Sequence, residues 1–168
     1  YSVIGGGYCN ESFTYCTTIG GGSKNKIYSI GTHGTIGGGC SNKINSNAAT
    51  IAGGTQNTAL STGSFIGGGQ CNNAFAAHAN VTGGFRNTSS GTCSNVAGGN
   101  NNIASGYNSN VAGGTYNDAC GNYSNVAGGS NNCANGINSN VAGGSNNCAI
   151  GNYSNYSSIV GGYGNKVC

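Results

Sequence analysis

The chain has 168 residues, of which 35 are glycine and 29 are asparagine, and only seven are charged, five of them Lys or Arg and two Asp or Glu. Proline, methionine and tryptophan are absent and leucine occurs once, so the chain cannot bury the core of a helical bundle or a doubly wound α/β enzyme, and it is not collagen. The net charge of +3 comes from scattered residues and forms no basic stripe for nucleic acid or for an anionic membrane.

A repeat runs through the whole sequence. Each unit has an apolar anchor, Ile or Val, with glycine at its second and third successors. Successive anchors are 15 residues apart, except for one step of 17 and a last step of 18. The anchors are Ile4, Ile19, Ile36, Ile51, Ile66, Val81, Val96, Val111, Val126, Val141 and Ile159. Such a period is typical of a solenoid, in which each turn buries its interior only against its neighbours.

Every unit predicts the same elements in the same order. The residue two before the anchor is small in all units, and the residue eight after it is small or apolar, as with Ser109 and Ala119 around Val111. Side chains that alternate in this way are typical of strands, and the glycine pair between them can take the positive φ of a tight corner. The sequence therefore predicts an all-β, parallel β-solenoid of about eleven mostly 15-residue turns, with loops that bulge at 28–33 and 153–158.

An asparagine stands six residues after every anchor. In-register asparagines of stacked strands can form hydrogen-bonded ladders, so we expect this column to bond amide to amide up the stack. The column consists of Asn10, Asn25, Asn42, Asn57, Asn72, Asn87, Asn102, Asn117, Asn132, Asn147 and Asn165.

Nine cysteines favour an oxidising, extracytoplasmic setting, and their odd number leaves at least one thiol free or bonded to another chain. Cys133 and Cys148 share one register on adjacent turns. Stacked Cα atoms about 4.8 Å apart lie within the disulfide range, which makes these two residues the disulfide candidates. The alternative is a pair of small, half-buried free thiols.

The titratable residues do not form a catalytic set. The two carboxylates, Glu11 and Asp118, are seven turns apart, about 34 Å at ladder spacing, so they cannot act as an acid–base pair. Two cysteine–histidine neighbours occur in the column three before the anchor, but two ligands do not make a zinc site. They are Cys16 with His33 and His78 with Cys93. We therefore expect no enzyme, no metal and no cofactor.

Two features leave alternatives open. Six Asn-x-Ser/Thr sequons make glycosylation possible, although about as many are expected by chance in this composition. They begin at Asn10, Asn80, Asn87, Asn122, Asn152 and Asn155. Just after each anchor, the residues are almost all Gly or Ala, which forms either a strip for close chain-to-chain packing or a bare hydrated face.

The segment Asn-Ser-Asn-Val-Ala-Gly-Gly, at Asn108–Gly114 and again at Asn138–Gly144, resembles the YadA-type head repeat of trimeric autotransporter adhesins. The resemblance extends over nearly the whole chain and is clearest over 81–151. It implies a narrow left-handed parallel β-roll, three chains side by side, and a surface adhesin without enzymatic activity. We expect similar rolls in viral or phage surface fibres.

These observations favour a non-enzymatic structural or adhesive β-roll in an extracellular, cell-surface or virion-surface fibre or adhesin head. The alternatives are a filament subunit stacked end to end, or an ice- or carbohydrate-binding solenoid. Ice binding is less favoured because the Thr column of Thr18, Thr35 and Thr50 ends after three turns. The expected partners are copies of the chain, as a homotrimer or an end-to-end polymer, and a host-surface protein or glycan, with neither nucleic acid nor membrane insertion.

Both ends of the chain fall inside a repeat unit. A solenoid cut within a turn exposes open ladder edges, which invite further pairing. We therefore expect residues 1–168 to be a single repeat domain that forms a segment of a longer chain or of a filament.

Overall fold

The computed structural model of the protein describes residues 1–151 and 156–168, and this part of the chain is all β, without a helix. It contains 22 two-residue strands in two parallel sheets of eleven strands each. In chain order the strands are β1 (Val3–Ile4), β2 (Glu11–Ser12), β3 (Thr18–Ile19), β4 (Lys26–Ile27), β5 (Thr35–Ile36), β6 (Lys43–Ile44), β7 (Thr50–Ile51), β8 (Thr58–Ala59), β9 (Phe65–Ile66), β10 (Asn73–Ala74), β11 (Asn80–Val81), β12 (Thr88–Ser89), β13 (Asn95–Val96), β14 (Ile103–Ala104), β15 (Asn110–Val111), β16 (Asp118–Ala119), β17 (Asn125–Val126), β18 (Cys133–Ala134), β19 (Asn140–Val141), β20 (Cys148–Ala149), β21 (Ser158–Ile159) and β22 (Lys166–Val167).

The odd-numbered strands form sheet 1 and the even-numbered strands form sheet 2, and each strand pairs only with the strands one turn before and after it. In sheet 1, each anchor is the register partner of the anchor in the neighbouring turn, as Val96 is of Val111. A third ladder of single parallel bridges joins the fourth residue after each anchor, from Tyr8 to Tyr163. The predicted parallel β-solenoid of eleven turns is thus confirmed. We number the turns 1–11, so that turn 1 contains Ile4 and turn 11 contains Ile159.

The interior is a thin apolar layer between the two sheets. From Ile19 to Ile159, the anchors are buried, and the residues eight positions later face them across the layer. Isoleucine faces isoleucine in turns 2 and 3, whereas Val81 and the later valine anchors face alanine or serine. Burial of each such Ile or Val side chain stabilises the fold by about 1.5–3 kcal/mol. Because the layer is only two side chains thick, backbone ladders carry the remaining stabilisation.

Turns 2 to 10 each have three corner residues with positive φ. The third residue after the anchor is always glycine, with φ between 79° and 98°. At the other two positions, three before and five after the anchor, eighteen non-glycine residues have φ between 50° and 60°, although they are as varied as Lys24, His33 and Tyr116. Positive φ is uncommon for such residues. The hydrogen bonds of the adjacent turns therefore impose this conformation.

The 17-residue unit forms a loop at 28–33, as predicted. Its two extra residues make a double turn, in which Gly31 N–H bonds the Tyr28 carbonyl at 2.8 Å and Gly34 N–H bonds the Gly31 carbonyl at 2.9 Å. Ile30 in this loop is exposed. The other predicted bulge, 153–158, includes residues outside the described part of the chain.

Candidate functional site

The asparagines six residues after each anchor form a continuous column, which we call the inner ladder. Those of turns 2 to 10, Asn25 to Asn147, are fully buried or nearly so. Each side-chain Nδ2 donates to the carbonyl of the glycine four residues earlier, at 2.8–3.0 Å. It also donates to a glycine carbonyl of the next turn, at 2.8–3.1 Å.

The side-chain oxygen of each inner-ladder asparagine accepts the backbone N–H of the asparagine one turn later, at 2.9–3.1 Å. The expected amide-to-amide bonding between side chains is therefore wrong for this column. The physical reason is that the glycine carbonyls of the corner take both amide hydrogens. The inner ladder thus joins side chains to backbone and holds the glycine corner of one turn on the corner of the next.

Side-chain amides do bond to one another in a second column, which we call the outer ladder. It lies on the outer side of sheet 1, one residue before the anchor, and its members are half-buried. Each Nδ2 donates to the next Oδ1 at 2.7–2.9 Å. The members are Asn80, Asn95, Asn110, Asn125 and Asn140. The sequence carried a signal for this ladder, five identical residues in one outward column, but its bonding was not predicted.

The outer ladder runs beside a strip of small residues. The first residue after the anchor is Gly or Ala in most turns, and the second is Gly in all eleven. A Cβ added at Gly53, Gly68, Gly83 or Gly143 would meet no atom of this chain within 4 Å. These glycines are therefore not required for packing within the chain, and the strip leaves the outer side of sheet 1 open and flat.

All seven charged residues lie in two columns, five and seven residues after the anchor, on either side of the inner ladder. The cations are Lys24, Lys26, Lys43, Arg86 and Lys166, and the acids are Glu11 and Asp118. The seventh position is on the outer side of sheet 2, opposite the outer ladder. We call this side, with the seventh and ninth residues after each anchor, the charged face. Five of the seven charged residues therefore lie on the charged face, and the other two, Lys24 and Arg86, lie at the corner beside it.

A cluster in the first two turns of the charged face is held together by Lys26. Its Nζ lies 2.8 Å from a carboxylate oxygen of Glu11, 4.8 Å from the centre of the Phe13 ring and 5.2 Å from that of Tyr28. The hydrogen bond to Glu11 raises the pKa of Lys26 above its ordinary value. The ammonium therefore stays charged between two aromatic rings.

The charged face also carries three neighbouring thiols in turns 8 to 10. Cys120 Sγ donates to Asp118 Oδ1 at 2.9 Å. Burial, followed by this hydrogen bond, raises the pKa of Cys120 to about 11. Burial, followed by a hydrogen bond with Cys148, raises the pKa of the Cys133 thiol far above its ordinary value. The thiols of Cys120 and Cys133 are therefore protonated at neutral pH.

The candidate disulfide does not form: Cys133 and Cys148 are both free thiols, as are the other seven cysteines. The two residues are register partners in β18 and β20, as expected from their spacing. In-register side chains of neighbouring parallel strands point the same way, however, and a disulfide requires a Cβ–S–S–Cβ dihedral near 90°. The structure instead contains the alternative, a pair of half-buried free thiols.

The two cysteine–histidine pairs do not assemble a metal site. No group of three or more His, Cys, Asp or Glu side chains suited to a metal ion occurs within 1–151 and 156–168. In turn 6, the imidazole of His78 lies over Gly63, with Nδ1 2.7 Å from the point where a Cβ of that glycine would stand. The ring is therefore directed towards turn 5 and away from Cys93 in turn 7. Gly63, with φ of 66°, leaves the space that the ring occupies.

The sequon asparagines have different surroundings. Asn87 is buried in the inner ladder, and Asn80 belongs to the outer ladder. Asn10 donates to two glycine carbonyls. Asn122 is exposed at a corner. Asn152 and Asn155 lie outside the described residues.

The fold and its ladders define the protein as a parallel β-solenoid. Compared with models of known protein families, the chain matches none, and comparison with curated protein sequences gives no significant match. In the described ranges, no helix is long and apolar enough to cross a membrane.

Proposed function

We propose that the chain is a non-enzymatic structural and adhesive β-roll, part of an extracellular or virion surface fibre or adhesin head, with three copies side by side. The observation that carries this proposal is the regular stacking of eleven turns through three backbone ladders and the inner ladder. At about 4.8 Å per turn, the stack is roughly 50 Å long and repeats the same outward columns along its length. Such a rod is suited to spacing and display.

The positions of the acidic groups support a role without catalysis. Glu11 is paired with Lys26 in turn 2, and Asp118, in turn 8, accepts a hydrogen bond from Cys120. The two carboxylates are about 34 Å apart at ladder spacing. General acid–base catalysis needs such groups within hydrogen-bond reach of one substrate.

The outer side of sheet 1 supports close contact with other copies. It carries no charged residue, and its glycine strip leaves room for a second backbone. The free donors and acceptors of the outer ladder can bond to a polar neighbour at regular intervals. Charge on the opposite side of the solenoid remains available to solvent and to partners.

The mass of the native particle tests this assembly. The proposal expects three chains of 16.4 kDa each by light scattering after size exclusion, and a rod in electron micrographs. Gly143→Arg should yield a folded monomer, because the side chain has space in the single chain but blocks a neighbour. Thr58→Arg, which adds the same charge on the charged face, should leave the trimer intact. A wild-type monomer would overturn the proposal, and an open polymer would favour the filament alternative.

The location is tested separately. An antibody raised against the chain should label intact cells or virions that encode it, without permeabilisation. Labelling that requires lysis would contradict the surface assignment.

A further inference from the structure

The charged face carries an apolar stripe that is concentrated in its first five turns. The ninth residue after the anchor is aromatic or Leu in turns 1, 2, 4 and 5, at Phe13, Tyr28, Leu60 and Phe75. Phe13, Leu60 and Phe75 are 56%, 42% and 42% exposed. From turn 6 onwards, apolar residues on this face are isolated. The ninth position holds Ser90, Ser105, Cys120 and Asn135 before a single Ile150, and the seventh position holds one exposed isoleucine, Ile103. The apolar side chains are therefore a local feature of this face and are not required by the repeat.

Positive charge is concentrated beside the stripe. Turns 1 to 3 hold the cations Lys24, Lys26 and Lys43 and the single acid Glu11, a net charge of +2 by three minus one. Glu11 pairs with Lys26, and Lys24 and Lys43 are exposed. Lys43 is the register partner of Lys26 one turn later, and Lys24 lies at the corner beside the face, two residues before Lys26. Polar residues fill the rest of the two columns in turns 3 to 5, at Asn45, Thr58 and Asn73.

We propose that the charged face over turns 1–5 binds an anionic polysaccharide, an inference that rests on the proposed adhesive function and names its ligand class. The C–H faces of sugar rings pack on Phe13, Tyr28 and Phe75, because an aromatic face is apolar and carries partial negative charge. Carboxylate or sulfate groups pair with Lys24 and Lys43. A polymer laid along the stack meets an equivalent position about every 4.8 Å.

The small number of free lysines beside the stripe favours a polysaccharide over nucleic acid as the ligand. Non-specific binding to nucleic acid depends on cations that neutralise phosphates, and a protein with strongly salt-dependent binding makes about 6–10 such contacts. The stripe has two free lysines beside it, and Lys26 is already paired with Glu11. Apolar contact therefore has to supply much of the affinity, which suits the C–H face of a sugar ring.

Binding is measured by calorimetry on the intact chain with a heparin oligosaccharide, a sulfated and carboxylated polymer, as the probe. Neutral dextran and oligo(dT) are the comparison ligands. The expected result is heparin binding that weakens about tenfold or more as salt rises from low to about 0.5 M, because screening acts on the lysine contacts. Equal binding of dextran, or tighter binding of oligo(dT), would overturn the proposal.

Matched variants locate the surface. Phe75→Ser introduces the residue that the same column carries at Ser90, and Lys43→Thr introduces that of Thr58. Each should weaken heparin binding about tenfold without changing the thermal midpoint. The controls Phe85→Thr, which introduces the residue that the single-bridge column carries at Thr55 and Thr115, and Lys166→Thr, in turn 11, should bind as the wild type does. Equal losses in test and control variants would overturn the assignment to this face.

The particle mass distinguishes the two proposals. Loss of heparin binding with the trimer mass unchanged shows that the stripe contacts the polysaccharide and not another copy. Phe75→Ser that dissociates the particle would overturn the inference. If the wild-type trimer forms but does not bind heparin, the polysaccharide inference fails alone.

Discussion

The backbone N–H of Asn117 donates to the side-chain oxygen of Asn102, one turn earlier, at 2.9 Å. The residue before Asn117 is Tyr116, whose φ of 54° turns the chain at the corner between the single-bridge ladder and sheet 2. An unpaired buried N–H is costly, and here a side chain supplies the acceptor. The inner ladder therefore continues the backbone ladder through a corner.

Replacement of Asn117 by Leu should break this continuity. The variant leaves the N–H of Asn132 without its acceptor and the Gly113 carbonyl without its amide donor. Each unsatisfied buried group costs about 1–3 kcal/mol, so the free energy of unfolding should fall by at least about 2 kcal/mol. Urea or thermal unfolding followed by circular dichroism measures the change.

Asn73→Thr is the matched control for this variant. Asn73 faces outward in β10, and its register partner in β12 is Thr88. Its replacement should change the stability by less than about 0.5 kcal/mol. If Asn117→Leu is no more destabilising than Asn73→Thr, the inner ladder does not hold the turns together.

Two glycines of the corners differ in what a side chain would meet and in backbone conformation. Gly129, with φ of 88°, would place a Cβ against the Gly144 carbonyl of the next turn, whereas a Cβ at Gly143 meets nothing within 4 Å. Gly129→Ala should therefore destabilise the fold by about 1–3 kcal/mol, and Gly143→Ala by much less. Chemical denaturation of the two variants in parallel measures the difference, and equal losses would contradict the close approach of the corners.

The repeat period alone was enough to predict the fold. An Ile or Val recurring every 15 residues sets the turn length, and burial of these anchors sets the register, so Val96 had to lie on Val111. The two strands and the glycine corner followed from side-chain alternation. These features depend on local spacing and on which residues are apolar, which a sequence displays directly.

Other features depend on backbone conformation, side-chain direction and the choice of hydrogen-bond partner, which the spacing of residue types does not encode. Lys24 and Tyr116 have positive φ although neither is glycine, because hydrogen bonds to neighbouring turns impose this conformation. Their residue types therefore give no signal of it in the sequence. The Cα register of Cys133 and Cys148 was predictable, but the parallel direction of their side chains prevents the disulfide. The outer ladder was visible as a run of asparagines, yet the choice of bonding partners depends on which carbonyls the corners present.

The direction of the outer ladder predicts a pH-dependent variant. Asn110 Nδ2 donates to Asn125 Oδ1, at 2.7 Å. In Asn110→Asp, one carboxyl oxygen still accepts from Asn95 Nδ2, but the other would face Asn125 Oδ1 without a hydrogen when ionised, whereas the protonated acid can donate to it. The folded state therefore raises the pKa of the new carboxyl above its unfolded value near 4.

The stability of Asn110→Asp depends on pH because the folded and unfolded states bind different numbers of protons. Above the unfolded pKa, the folded variant binds more protons than the unfolded chain, so its stability falls as the pH rises through the folded pKa. Asn110→Asp should unfold at a lower temperature at pH 7 than at pH 4, relative to wild type at each pH. Asn110→Thr, which matches Thr50 in the same column, should show no such difference. A pH-independent Asn110→Asp would contradict the ladder.

Burial, and then the hydrogen bond to Asp118, raise the pKa of the Cys120 thiol to about 11. Because the thiolate is the reactive form, iodoacetamide should modify Cys120 at pH 8 roughly 20-fold more slowly than free cysteine, after allowing for the greater nucleophilicity of a more basic thiolate. Asp118→Asn removes the carboxylate, which should lower the pKa of Cys120 and raise the rate. Glu11→Gln, which removes the other acid seven turns away, should leave it unchanged. Peptide mapping by mass spectrometry after timed alkylation gives the rate at this cysteine alone, and an Asp118→Asn rate equal to that of the wild type would show that the carboxylate does not control this thiol.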